Sequence, residues 1–173
     1  VRRCIGCNQG CRDAALYKKI RCMQNARLGF ETTLNFAAAA EAEKTQKILI
    51  AGAGPAGLEA AYDLTLRGFR PLVYERESKP GGLINLAALP PQKERMREIT
   101  NFRVAALKEA GIAIQYGSEV PPELLERERP DVLIVATGSV AAVPPIPGID
   151  GENVVTADEL LSGRKPLRGS HIV

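Results

Sequence analysis

A chain of 173 residues with 45% hydrophobic residues is long enough to bury one ordinary core. Its 23 basic and 20 acidic residues are interspersed and leave a net charge of only +3, which argues against a nucleic-acid or membrane-surface partner. No run of about 18 or more apolar residues is present to span a bilayer, and no charged-then-apolar leader is found, so the expected setting is the reducing cytoplasm.

All four cysteines fall in the first 22 residues, VRRCIGCNQGCRDAALYKKIRC. A disulfide staple confined to one end would close only short loops, and a chain of this length has a core without it. Cys4, Cys7, Cys11 and Cys22 are spaced C-x2-C-x3-C-x10-C, three thiols from one tight loop and a fourth from a short excursion. That pattern suits an iron–sulfur cubane, which needs one thiolate at each of its irons, with Gly6 and Gly10 letting the loop curl. Zinc is the competitor, although structural zinc sites usually present two separated C-x2-C knuckles, and only one is found here. Arg2, Arg3, Arg12, Lys18, Lys19 and Arg21 surround the thiols. They read either as a solvated basic face or as cations that stabilise an anionic cluster.

The next stretch, TTLNFAAAAEAEKTQ, has no glycine or proline and reads as a short helix or a linker. KILIAGAGPAGLEAAYDLTLRG then predicts a buried strand at Ile48–Ala51, a glycine turn, and a helix closed by Gly68 in the left-handed cap position. PLVYE is a second apolar strand, which makes a βαβ unit and predicts a parallel sheet covered by helices. A helix is expected from Lys93 to Ala110, closed by Gly111 and feeding the strand IAIQY. VLIVA at 132–136 is a further strand, running into Thr137-Gly138. Thr156 and Glu159 stand at capping-box spacing, predicting a short helix that stops at Gly163. The fold class is α/β, a Rossmann-like domain behind a cysteine loop.

Gly52, Gly54 and Gly57 form G-x-G-x-x-G immediately after a strand and opening a helix, the context that makes this fingerprint specific. Gly52 allows the tight turn, Gly54 lets the backbone approach a pyrophosphate, and Gly57 lets helix and strand pack closely. Pro55 and Ala56 open the helix, whose unsatisfied amides point at phosphates. Glu75 ends the second strand 23 residues after Gly52, where a carboxylate accepts from ribose hydroxyls and repels a 2′-phosphate, which argues against NADP as this nucleotide. Arg76 follows it, and Pro80-Gly81-Gly82 gives a second close backbone approach, continued by Leu83. Lys93, Val120 and the strand end Ala136-Thr137-Gly138 complete the candidate residues. The fingerprint alone does not separate NAD from FAD.

CIGCNQGC, GAGPAGLEAA, VYERESKPGG and LIVATG occur in that order. Together they resemble the post-barrel half of the iron–sulfur flavoprotein oxidoreductases related to 2,4-dienoyl-CoA reductase and trimethylamine dehydrogenase, with an Old-Yellow-Enzyme-like barrel. The likeness runs over essentially the whole chain. It implies a 4Fe-4S cluster on Cys4, Cys7, Cys11 and Cys22, and FAD against Ala56, Glu75, Leu83, Lys93 and Val120. The dehydrogenase branch holds bare ADP there instead. The x3 between Cys7 and Cys11 matches the reductases, whereas the final x10 is shorter than either branch expects.

The resemblance further implies a cluster loop and linker at 1–45, an FAD- or ADP-binding domain at 46–167, and the start of an NAD(P)H-binding domain at 168–173. The chain would then be a fragment, with an FMN barrel and the NAD(P)H domain of the same polypeptide as its partners. The implied route is hydride from NAD(P)H to FAD, single electrons through the cluster to FMN, and reduction of an activated double bond in the barrel. No side chain here is expected to do acid–base work, and His171 reads as structural. Two alternatives stay open on the sequence: an ADP-holding structural domain of an amine-dehydrogenase-like enzyme, and a zinc-stabilised interaction module.

Overall fold

The computed structural model describes residues 2–15, 20–34, 41, 43–166 and 169. Four short strands, β1 (Ile48–Ala51), β2 (Leu72–Glu75), β3 (Ile114–Tyr116) and β4 (Val132–Val135), form one wholly parallel sheet in the order β3-β2-β1-β4. β1 is central, with Ile50 in register with Val73 on one side and Ile134 on the other. All four of its residues are buried, as a continuous apolar run in a parallel sheet requires.

Among the described residues six α-helices accompany the sheet: α1 (Arg12–Ala15), α2 (Pro55–Leu66), α3 (Ile84–Ala87), α4 (Glu98–Glu109), α5 (Pro122–Glu128) and α6 (Ala157–Leu161). α2 and α4 pack against each other, and the core gathers Ile50 and Val73 from the sheet with Leu58, Ala61 and Leu107 from the two helices. Each large side chain buried there contributes about 1.5–3 kcal/mol. β4 is less covered, with Val135 69% exposed.

The helix ends follow their sequence signals in most places. Gly68, just beyond α2, has φ 93°, and Gly111, just beyond α4, has φ 72°. The capping box at α6 forms as expected: Glu159 N–H donates to Thr156 Oγ1 at 3.3 Å, and Thr156 N–H donates to the Glu159 carboxylate at 2.9 Å. α4 begins at Glu98 rather than Lys93. The chain arrives through Pro90-Pro91 and a left-handed Gln92 (φ 66°), and its first turn, Glu94–Arg97, is wound as a 3₁₀ helix. α5 is an element the sequence reading did not anticipate, although Pro122 at its first position and Glu123 in its first turn are start signals.

The amino-terminal segment lies against α2 and α4. The Arg2 guanidinium stands 5.0 Å from the Tyr62 ring centroid and 4.9 Å from that of Phe102, two rings that meet edge to face at 5.4 Å. Arg103 of α4 is buried and pairs with Glu59 of α2. Residues 35–40 and 42 of the alanine-rich stretch lie outside the described residues, as do Lys18, Lys19 and the final RGSHIV except Gly169. Among the described residues no helix is long and apolar enough to cross a membrane.

Asp63 faces this junction from α2, one turn beyond Glu59. Burial first, and the Glu59 carboxylate second, raise its pKa from 3.8 to about 6, against the opposing pull of Arg2, Arg103 and Arg27. Between these two values the folded chain holds more protons on Asp63 than the unfolded chain does, so the group's share of stability is full below the lower value and falls as pH rises through the upper one. Denaturant unfolding across that window should therefore show a decline in stability with rising pH that Asp63→Asn flattens. An equal slope in the variant would remove Asp63 as its source.

Candidate functional site

The glycine turn sits where β1, α2 and β4 converge, and its dimensions explain the residue types. Gly52 has φ 107°, and a Cβ added there would come within 2.4 Å of the Ala136 carbonyl oxygen. A Cβ at Gly57 would stand 1.9 Å from the Gly52 oxygen, so the first turn of α2 closes on β1 only without a side chain. Gly54 is different, because a Cβ there would meet only the Cα of Gly82, at 4.0 Å. A Cβ on Gly82 would in turn stand 3.2 Å from the Gly54 Cα, so the two glycine turns meet backbone to backbone with no side chain between them. Gly54 is also the N-cap of α2 and has no side chain to cap the first-turn amides, with Pro55 at the first helical position. Those amides and the positive end of the helix dipole lie at the uncapped start of α2, the kind of helix end that receives phosphate.

Glu75 closes the site from β2. It is 6% exposed, and its carboxylate accepts from Ala53 N–H at 2.7 Å and from Glu77 N–H at 2.9 Å. Each carboxylate oxygen keeps a further lone pair for a ribose hydroxyl. Ala53 is a participant that the spacing did not reveal: its N–H binds Glu75, and its carbonyl accepts from Gly81 N–H at 2.8 Å. One fully buried alanine therefore ties the first glycine turn to the acid and to the second glycine turn. Asn85 was also missed; its side-chain amide donates to the Pro80 carbonyl at 2.9 Å and fixes the second turn.

The remaining predicted residues are distributed around this centre. Ala136 is drawn in, its N–H donating to the Ala51 carbonyl at 2.9 Å, while Thr137 and Gly138 continue beyond it and are exposed. Ser118 N–H donates to the Glu75 carbonyl and Gly117 N–H to that of Glu77, which sets the loop carrying Val120 beside the end of β2. Tyr116, the register partner of Glu75, has its hydroxyl pKa raised by burial and then by the Glu75 charge. Leu83 is 52% exposed at the start of α3. Lys93 is exposed at the start of the 3₁₀ turn that packs on α3. Ala56 is exposed on the first turn of α2, and the exposed Arg76 pairs with Glu77 at 3.3 Å.

The four cysteines are free thiols; Cys4 is exposed and Cys7, Cys11 and Cys22 are half-buried. Among the described residues no group of three or more His, Cys, Asp or Glu side chains is gathered for a single metal ion. The loop nevertheless has features that suit thiolate ligands. Gly6, at φ 72°, donates its N–H to Cys4 Sγ at 3.3 Å, and Gln24 N–H donates to Cys22 Sγ at the same distance. Such N–H···S bonds stabilise charge on sulfur. Arg21 N–H donates to the Gly10 carbonyl at 3.1 Å, and a Cβ on Gly10 would lie 2.6 Å from the Arg21 oxygen. Gly10 is thus required for the approach of the two arms that carry Cys11 and Cys22.

Parallel sheet, glycine turn and strand-end acid define a Rossmann-like dinucleotide-binding domain. The chain belongs to the pyridine nucleotide-disulphide oxidoreductase family, whose profile matches residues 46–173. It is 36% identical to a metal reductase of Desulforamulus reducens and 32% identical to a bilirubin reductase of Mediterraneibacter gnavus, in each case over the whole of this chain. Among solved structures, a 2-naphthoyl-CoA reductase in complex with 2-naphthoyl-CoA superposes with a TM-score of 0.86 at 32% identity over 93% of this chain. The chain spans 26% and 28% of the two relatives and 24% of the solved protein, about a quarter of each. These relationships bear out the resemblance to the reductase and amine-dehydrogenase flavoproteins, and with it membership of an oxidoreductase family.

The Glu75 geometry gives a test that separates a carboxylate from its isostere. Glu75→Gln leaves one oxygen to accept from Ala53 or Glu77 and turns an NH2 toward the other N–H. Loss of such a charged acceptor costs about 1–3 kcal/mol. Urea unfolding should show that loss together with weaker nucleotide binding, and unchanged stability would contradict the two backbone hydrogen bonds.

Proposed function

We propose that this chain is the electron-transfer part of an NAD(P)H-dependent flavin and iron–sulfur oxidoreductase of the enoate or dienoyl-CoA reductase type. In this reading residues 46–167 hold FAD and residues 1–45 hold a 4Fe-4S cluster on Cys4, Cys7, Cys11 and Cys22. Residues 168–173 begin an NAD(P)H-binding domain, and an FMN barrel belongs to the same polypeptide. The observation that carries the reading is the close approach of Gly54 and Gly82 beside the uncapped start of α2 and the buried Glu75, with Tyr62 of the same helix touching Arg2 of the thiol segment. The family relationship and the reductases it resembles support it.

In this proposal the first-turn amides of α2, at Ala56 and Gly57, would cradle the pyrophosphate, beside the side-chain-free surface that Gly54 and Gly82 form together. Glu75 would orient the adenosine ribose, and the loop at Val120 would offer backbone groups to the adenine. Cys4, Cys7, Cys11 and Cys22 would supply four thiolates, with the N–H groups of Gly6 and Gln24 supporting two of them. Bound together, a flavin and an iron–sulfur cluster convert paired electrons into single ones. Ala56 and Tyr62 of α2 are six residues apart, about 9 Å along the helix axis. The phosphate end of the nucleotide site and the Arg2 contact of the thiol segment therefore lie on one rigid element.

Denaturing the complete polypeptide and identifying what it releases tests this directly. FAD, iron and acid-labile sulfide are expected. Release of ADP without a second flavin would favour a structural nucleotide domain, and stoichiometric zinc without iron would overturn the electron-transfer reading.

A further inference from the structure

Gln24 is the one buried polar side chain of the thiol segment among the described residues. It lies two residues beyond Cys22 and is 3% exposed. Burial of an amide is costly unless its hydrogen bonds are made, and those of Gln24 reach in three directions. Its backbone N–H donates to Cys22 Sγ at 3.3 Å. Its side-chain Nε2 donates to the Arg3 carbonyl at 3.0 Å, adjacent to Cys4. Its side-chain oxygen accepts from Arg103 Nη1, and its backbone carbonyl from Arg103 Nη2, each at 3.4 Å. Arg103 is itself 3% exposed, and it is held on the domain side by Glu59 of α2 and by the Ile99 carbonyl one turn back on α4. Arg2 closes the same junction, donating to Asn25 Oδ1 at 2.9 Å.

We infer that Gln24 and Arg103 form a positioning pair that fixes the Cys22 limb onto the dinucleotide domain and, through the N–H of residue 24, sets the potential of whatever those thiolates hold. The first half stands on the described contacts, and the second rests on the cluster reading above. Arg103 is anchored on two helices before it touches the segment, so it presents a fixed fork of donors. Gln24 answers with two oxygens and passes the constraint in both chain directions, to Cys22 and to the carbonyl next to Cys4. This joint compensates for an excursion of only ten residues between Cys11 and Cys22, because the fourth ligand is located by the domain rather than by the loop. An N–H aimed at a sulfur favours the more negative, reduced state of a cluster, so slackening the joint lowers the potential.

Two variants in the complete polypeptide test this, with two readouts. Gln24→Ala removes the side chain from the loop face and leaves α2 and α4 untouched; Arg103→Met removes the fork. In metal-free protein both should speed amide exchange across residues 20–28 by about tenfold, with β1 and α4 unaffected in Gln24→Ala. In iron-loaded protein Gln24→Ala should retain its iron and sulfide but titrate at a lower midpoint potential. Unchanged exchange in Gln24→Ala overturns the joint, and does so whether or not Arg103→Met folds. An unchanged potential at full iron content overturns the tuning role. Failure of the unmodified polypeptide to take up iron and sulfide overturns the cluster reading and the tuning with it, while the exchange result decides the joint separately.

Discussion

The structure depends on a place where three backbones meet with no room for a side chain. The Gly52 carbonyl occupies the position that a Cβ on Gly57 would need, and the Ala136 carbonyl crowds the corresponding position on Gly52. Only this contact lets the start of α2 come down onto the carboxyl ends of β1 and β4. The consequences run outward. The helix dipole reaches the top of the sheet, the Gly54 amide end faces Gly82, and Glu75 is near enough to take the N–H of Ala53. In a doubly wound sheet this crevice outside the strand ends is where ligands collect.

α2 has a second task that its sequence does not announce. Its first turn borders the candidate nucleotide site, while Glu59, Tyr62 and Asp63 meet the thiol segment through Arg103 and Arg2. The junction carries charge of both signs in a partly dry place. Removing one member of a buried ion pair leaves the other uncompensated, which is typically more damaging than replacing both. These contacts join the thiol segment to α2 and α4.

Much of the nucleotide half was legible in the sequence because its signals are local. Ile48–Ala51 is a continuous apolar run, the glycines have fixed spacing, and Thr156 with Glu159 is a capping box that four consecutive residues suffice to define. α5 escaped because it ends at Arg129, a non-glycine residue in the left-handed conformation (φ 44°), so the usual glycine stop is missing. The start of α4 was misplaced because Pro90-Pro91 and Gln92 impose a 3₁₀ turn that periodicity does not register. Gln24 and Arg103 were invisible for a different reason: they are 79 positions apart, and neither belongs to a motif. Gly10 was correctly singled out, yet what it needs is proximity to Arg21 rather than a glycine-only dihedral angle.

The two backbone hydrogen bonds of Glu75 bear on how such a domain changes its ligand in evolution. In dinucleotide folds the strand-end acid binds the ribose hydroxyls, and a nearby arginine accommodates a 2′-phosphate where one is bound. Here the acid is also the clasp of the glycine turn, holding Ala53 on one side and Glu77 on the other. A mutational route toward phosphorylated nucleotides must therefore first find new acceptors for both amides, and every single-step intermediate carries an unfastened turn.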